Sequence, residues 1–227
     1  MKETGIIFST ALVPKILDGT KTVTRRLWGL KKINEFPDIW TDPFFDEETG
    51  YWNFWQIYIS EVLSAKCPYG GVGDRLYVKE GWIIAAWTKG ECIDIFYKVE
   101  GYMKELPWND WCEKEWNDWC EKEWDKPNWG KWCSPLFMPK WASRIWLEIV
   151  SIRPERLQAI TLEDALSEGM APAEEYKKEP SPDDCKGIIT SFANLWDSLN
   201  PNHPWSSNPW CWRIEFKLKR GGKCGHK

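Results

Sequence analysis

The chain has 227 residues, 43% hydrophobic and 28% charged, the balance of a globular protein that builds a core; it is long for one domain and short for two. A net charge of -4 opposes non-specific coating of duplex DNA, which depends on neutralising phosphates. No apolar run reaches the ~20 residues of a membrane helix, and the N-terminus, interrupted by Pro14 and Lys15, does not read as a signal peptide, so a cytoplasmic protein with reduced thiols is expected.

In chain order, "STALVPKILDG" predicts a short helix, with Ser9 or Thr10 as cap, Leu12, Ile16 and Leu17 as its apolar face and Gly19 as its left-handed stop. "TVTRRL" is β-branched and alternating, and predicts a strand. Further strands are predicted over 54–62, 74–82, 94–99 and 144–152. "TLEDALSEGM" predicts a helix capped by Thr161 and stopped at Gly169, and "DDCKGIITSFANLWDSLNP" predicts a second, longer one. "WCWRIEFKLK" at 210–219 alternates strictly, predicting a strand with one buried and one wet face. Short strands with a few helices and no βαβ rhythm point to an α+β fold around a mostly antiparallel sheet or small barrel.

Residues 28–52 and 100–135 read as insertions in a single domain spanning 1–227. The second holds a tandem octad, "WNDWCEKE" at 108–115 and again at 116–123, and contributes to an unusual total of 19 tryptophans. Two copies are too few for a solenoid. The octad is either a platform on which unpaired bases stack or a duplication in a tolerant loop; the second is favoured because insertions accumulate where they do least harm.

Few residues are available for metal or histidine chemistry. The chain has eight cysteines but only His203 and His226, and no C-x2-C pair around Cys112, Cys120 and Cys133, so neither a zinc site nor a Ser-His-Asp device is expected. No cofactor is expected either. The connection from helix to strand after Gly19 instead places Lys21 near Thr24, a pairing in which a desolvated lysine can take a hydroxyl proton, while Arg25 and Arg26 add forked donors. "PYGGVGD" lacks the Lys-Ser/Thr ending of a phosphate loop and reads as a turn.

Four segments, "ILDGTKTVTRR", "CPYGGVGDRLYVKEGW", "MPKWASRIWLEIVSIRPERLQAITLEDALSEGM" and "NPWCWRIEF", together resemble the ASCH domain family in the larger form carried by bacteriophages and prophages. The resemblance covers most of the chain outside the two insertions and a stretch around 171–186. It implies a PUA-like superfold, a small β-barrel with flanking helices, and RNA or a modified nucleoside or nucleotide as partner. A minimal-length group in the same superfamily, similar to this chain at Gly19, Lys21, Thr22, Thr24 and Arg26, hydrolyses N4-acetylcytidine. What that similarity implies is a catalytic set of Lys21 as base, Thr24 as nucleophile and a glutamate as acid, best matched by Glu168, with Glu163 and Glu80 as alternatives. Arg25, Arg26, Trp82, Lys140, Trp141 and Arg144 are the expected binding residues. The other readings are a PUA-like RNA-binding module without chemistry and, less favoured, a ribonuclease.

Overall fold

The computed structural model describes residues 1–99, 101–110, 112–114, 131–170 and 182–219. In chain order the elements begin with β1 (Glu3–Ile7), α1 (Val13–Leu17), β2 (Val23–Arg26), α2 (Lys31–Asn34), β3 (Phe44–Asp46), β4 (Tyr51–Trp55) and β5 (Val62–Ala65). They continue with β6 (Arg75–Lys79), β7 (Trp82–Thr88), β8 (Cys92–Tyr97), β9 (Met103–Pro107) and β10 (Trp146–Arg156). The last are α3 (Leu162–Ser167), α4 (Pro182–Leu199) and β11 (Trp210–Leu218). The fold is α+β. Its strands form a five-stranded sheet of order β1-β6-β10-β11-β2 and two three-stranded sheets, β3-β4-β5 and β7-β8-β9, and no closed barrel forms among the described residues. The pairings of β10 with β11, β11 with β2, and within both small sheets are antiparallel. No described helix is long and apolar enough to cross a membrane.

The chain divides into two compact units, one of Met1–Thr4, Lys15–Leu76 and Leu147–Lys227, the other of Gly5–Pro14 and Tyr77–Trp146. In the first, β11 lies between β10 and β2. Its alternation predicts one wet face, but Trp210, Cys211, Trp212, Arg213 and Ile214 are all buried. The reason is the helical layer: Cys211 packs in a cluster with Ala165 of α3 and Ile188, Phe192 and Trp196 of α4. Only beyond Ile214, at Lys217, does the outward face open to solvent.

The 28–52 segment is firmly anchored within this unit. Leu30 and Ile33 are buried, and the Asn34 amide brackets the backbone of Trp210, donating to its carbonyl at 2.9 Å and accepting from its N–H at 2.7 Å. A side chain thus does for Trp210 what a neighbouring strand would do. The strand expected over 54–62 is instead two: the register pairs Trp55 with Val62, so residues 56–61 form the loop of a hairpin, closed by Gln56 N–H on the Glu61 carbonyl at 2.9 Å. Ile57, Tyr58 and Ile59 favour strand by type, but they face solvent at the loop and no ladder takes them up.

In the second unit, β7, β8 and β9 form a meander over a core of Trp82, Ile84, Ile93, Ile95, Tyr97 and Met138. β9 lies inside the segment read as an insertion at 100–135. Of the tryptophan octad, Trp108 packs on this core, while residues 111 and 115–130 lie outside the described residues.

Asn34→Ala leaves two buried backbone groups of Trp210 unpaired, each costing about 1–3 kcal/mol. Urea unfolding should show a loss of about 2–6 kcal/mol with an unchanged denaturant slope. A loss under about 0.5 kcal/mol, the level of an ordinary surface substitution, would mean that water or another group replaces the amide.

Candidate functional site

In the first unit, two glycine stops build the site. Gly19, at φ 84°, ends α1, and the chain turns so that the Lys21 N–H meets the Lys15 carbonyl at 2.7 Å. Thr22 donates to the Ser167 carbonyl and accepts from the Phe216 N–H, both at 2.9 Å, which stitches residues 20–22 between the end of α3 and β11. On the other side, Thr161 caps α3 through the Asp164 N–H at 3.1 Å, and Gly169, at φ 85°, ends it. A Cβ at Gly169 would sit 3.0 Å from Lys15 and 3.5 Å from Lys21, so this stop suits glycine on conformation and on space alike. Glu168 is therefore delivered, carbonyl and carboxylate together, onto Lys21.

The Lys21 ammonium is 2.6 Å from Glu168 Oε2, 3.0 Å from the Glu168 carbonyl and 2.8 Å from the Val23 carbonyl, and the residue is 2% exposed. Glu168 Oε1 in turn accepts from Arg25 at 3.2 Å. Arg25 also donates to Glu155 Oε1 at 2.9 and 2.5 Å and to Asp164 Oδ2 at 2.8 Å. Asp164 Oδ1 takes Arg213 at 2.8 and 3.1 Å. Lys21, Arg25 and Arg213 thus face Glu155, Asp164 and Glu168, balancing cation against carboxylate in a largely buried cluster whose rim is completed by Arg153 on Glu155 and Glu215 on Arg213.

Burial pulls the Lys21 pKa below the ordinary lysine value, and Glu168 only partly restores it. Burial alone would raise Asp164, but hydrogen bonds and charge from Arg213 and Arg25 prevail and hold it below the usual carboxylate value. Arg26, at the end of β2, is also lowered by burial, with Tyr69 acting in the opposite sense. Thr24 lies on β2 opposite Ile214 and is 4% exposed.

Of the expected site residues, the first unit brings Lys21, Arg25 and Glu168 into one hydrogen-bonded group, with Thr24 and Arg26 on the strand that carries Arg25. The others belong to the second unit. There Trp82 is buried edge-on to Trp141 at 6.4 Å, and Lys140 lies over the Trp146 ring. Arg144 forms a two-pronged pair with Glu80 at 2.8 and 3.0 Å, flanked by the rings of Tyr97 and Tyr102. Glu80 thus partners an arginine, and Glu163 is exposed in the first turn of α3, which leaves Glu168 as the glutamate against Lys21. Glu155, Asp164 and Arg213 are site residues that the sequence reading does not single out. Asp164 carries a faint signal as an acid in a capped first turn, whereas Arg213 occupies a position that alternation assigns to solvent. Among the described residues, no group of three or more His, Cys, Asp or Glu is arranged to hold a metal ion. Cys67, Cys92, Cys112, Cys133 and Cys211 are free thiols.

The lowered Asp164 pKa fixes a pH dependence. Its contribution is fully present above the unfolded value of 3.8 and is lost as pH falls through the lower folded value. Asp164→Asn should cost about 3 kcal/mol at neutral pH and flatten the stability profile below pH 4, measured by urea unfolding across a pH series. A variant that keeps the wild-type acid limb would remove Asp164 from the linkage. Comparison with protein-family models, curated proteins and solved structures gave no match.

Proposed function

We propose that the chain is a PUA-like protein of the ASCH type that removes an acyl group from an N4-acylated cytidine, as nucleoside or within RNA, in the cytoplasm. The observation that carries this reading is the contact between Lys21 and Glu168. These residues are 147 positions apart, the resemblance names them together, and they meet at 2.6 Å in a buried setting beside the strand that holds Thr24. Burial lowers the Lys21 pKa, which favours a lysine that can release its proton and act as a base.

In this mechanism the proton of the Lys21–Glu168 pair moves onto the carboxylate, leaving a neutral amine and a carboxylic acid. Thr24 Oγ1 bonds to the acyl carbon as its proton passes to Lys21, and Glu168 protonates the N4 amine as the C–N bond breaks. The pair is then charged again. Water attacks the Thr24 ester, giving its proton to Glu168, and Thr24 leaves as the hydroxyl by taking the Lys21 proton. One water is consumed, and the carboxylic acid and the free amine are released. Arg26, at the end of the strand that carries Thr24, is the side chain assigned to steady the oxyanion. Arg25, engaged by Glu155, Asp164 and Glu168, acts as a positioning residue that holds Glu168 Oε1.

Burial of both Lys21 and Thr24 favours one other reading, in which the ion pairs are structural and the domain binds RNA without chemistry. A single assay separates the two. Purified protein incubated with N4-acetylcytidine should release cytidine, resolved by liquid chromatography. Thr24→Ala should lower turnover at least about a hundredfold while the circular dichroism spectrum is unchanged. Absence of cytidine with the wild-type protein would sink the hydrolase reading, and full activity in Thr24→Ala would remove Thr24 as nucleophile.

A further inference from the structure

A second surface of the first unit, away from any residue of the ion network, carries a different kind of information. The registers of the β3-β4-β5 sheet place Phe44 opposite Asn53, Trp55 opposite Val62 and Asn53 opposite Ser64. Because alternate residues share a face, Tyr51, Asn53 and Trp55 of the central strand lie on one side with Phe44 and Val62. That side is outward around its margin, while Asn53 at its middle is buried and accepts from the Ser64 hydroxyl at 2.5 Å. Trp55 is 45% exposed, and Phe44, Tyr51 and Val62 are exposed with it, whereas Phe54 on the opposite face is fully buried against Trp210. Phe44 and Trp55 stack at 6.5 Å into one broad aromatic surface. The hairpin loop extends it with Ile57, Tyr58 (77% exposed) and Ile59. Contiguous apolar surface of this kind marks an interaction site.

The charges choose the occupant. From residue 33 to 65 there is no lysine or arginine, while Glu35, Asp38, Asp42, Asp46, Glu47, Glu48 and Glu61 are all acidic, Asp38 alone of them being paired, with Arg156 at 2.5 Å, among the ion pairs of the described residues. Asp46, Glu47 and Glu48 lie where β3 turns into β4, and Glu61 lies at the far hairpin loop, so acids stand at both ends of the aromatic strip. Lys66, over the Tyr51 ring, offsets only part of the charge at the first end. Phosphates of RNA and anionic lipid headgroups are repelled by such a rim, and so is a second copy of the same face. We propose that this sheet face docks a protein segment with basic residues at either end of a short apolar stretch. At a rise of about 3.4 Å per residue, a five-residue strand sets the spacing between the basic ends at about 17 Å.

The test uses the full chain and three probes: a peptide with paired arginines at each end of a Val/Leu/Ile stretch, the same peptide with glutamates for arginines, and an oligouridylate. Tryptophan fluorescence titration should show saturable binding of the arginine peptide alone, weakening as salt rises. Trp55→Ser combined with Tyr58→Ser changes exposed side chains only, and should weaken it at least about tenfold with an unchanged thermal midpoint. Asp46→Asn with Glu48→Gln should remove most of the salt dependence. Equal binding of both peptides, wild-type affinity in the Trp55/Tyr58 variant, or no binding of the arginine peptide would overturn the proposal. Binding of the oligouridylate that is lost in that variant would replace it with a base-stacking platform.

Discussion

The first unit depends on charge balance in a place where water does not compensate for imbalance. Lys21, Arg25 and Arg213 are buried, and each would carry a heavy desolvation penalty alone. They are tolerated because Glu155, Asp164 and Glu168 arrive from β10 and from the two ends of α3 in complementary positions. The arrangement follows from pairing. β11 lies between β10 and β2, so Arg25 and Arg213 are register partners and Glu155 enters opposite Cys211. α3, capped by Thr161 and ended by Gly169, then supplies Asp164 from its first turn, with Glu168 as the cap residue just past its end. A shift of one residue in either pairing would turn an arginine to the other face and leave buried carboxylates unpaired. The network is therefore better regarded as a register lock than as a source of net stability.

This dependence also separates what the sequence makes legible from what it does not. The stops at Gly19 and Gly169, the cap at Thr161 and strand β2 are local features, decided by backbone conformation and short-range hydrogen bonds, and the structure has each where the residues suggest. The contact of Lys21 with Glu168 is not local, and only the resemblance pairs the two. Arg213 shows the limit most clearly. Its place in "WCWRIEF" follows strand alternation, and alternation assigns it to solvent. It is buried because α3 and α4 cover the face on which Cys211 also sits, and no period in the strand itself carries that information. The split of 54–62 into two strands has the same origin. Side-chain type favours extension throughout, but the Trp55–Val62 register decides where the chain reverses.

The segment at 28–52 has two faces with opposite requirements. Toward β11 it supplies Asn34 as a surrogate strand partner, with Leu30 and Ile33 buried, so removing the segment would strip β11 of hydrogen bonds and apolar cover together. Outward it presents aromatic side chains within an acidic rim. A segment of this type is free to vary only on the side that does not hold the core. The concentration of exposed aromatics there is unrelated to the ion network, and so it belongs to a separate recognition event.

The proposed chemistry draws on the same electrostatics as the fold. A lysine that only closed a structural ion pair would gain from being fully ionised, and burial works against that. Here Glu168 is shared between Lys21 on one oxygen and Arg25 on the other. Arg25 itself adds a positive charge that lowers Lys21 further. Burial and the neighbouring guanidinium groups therefore ease loss of the proton from Lys21. A hydrolase working through Thr24 needs a lysine that gives up its proton readily, because Lys21 must accept one from the Thr24 hydroxyl in every turnover.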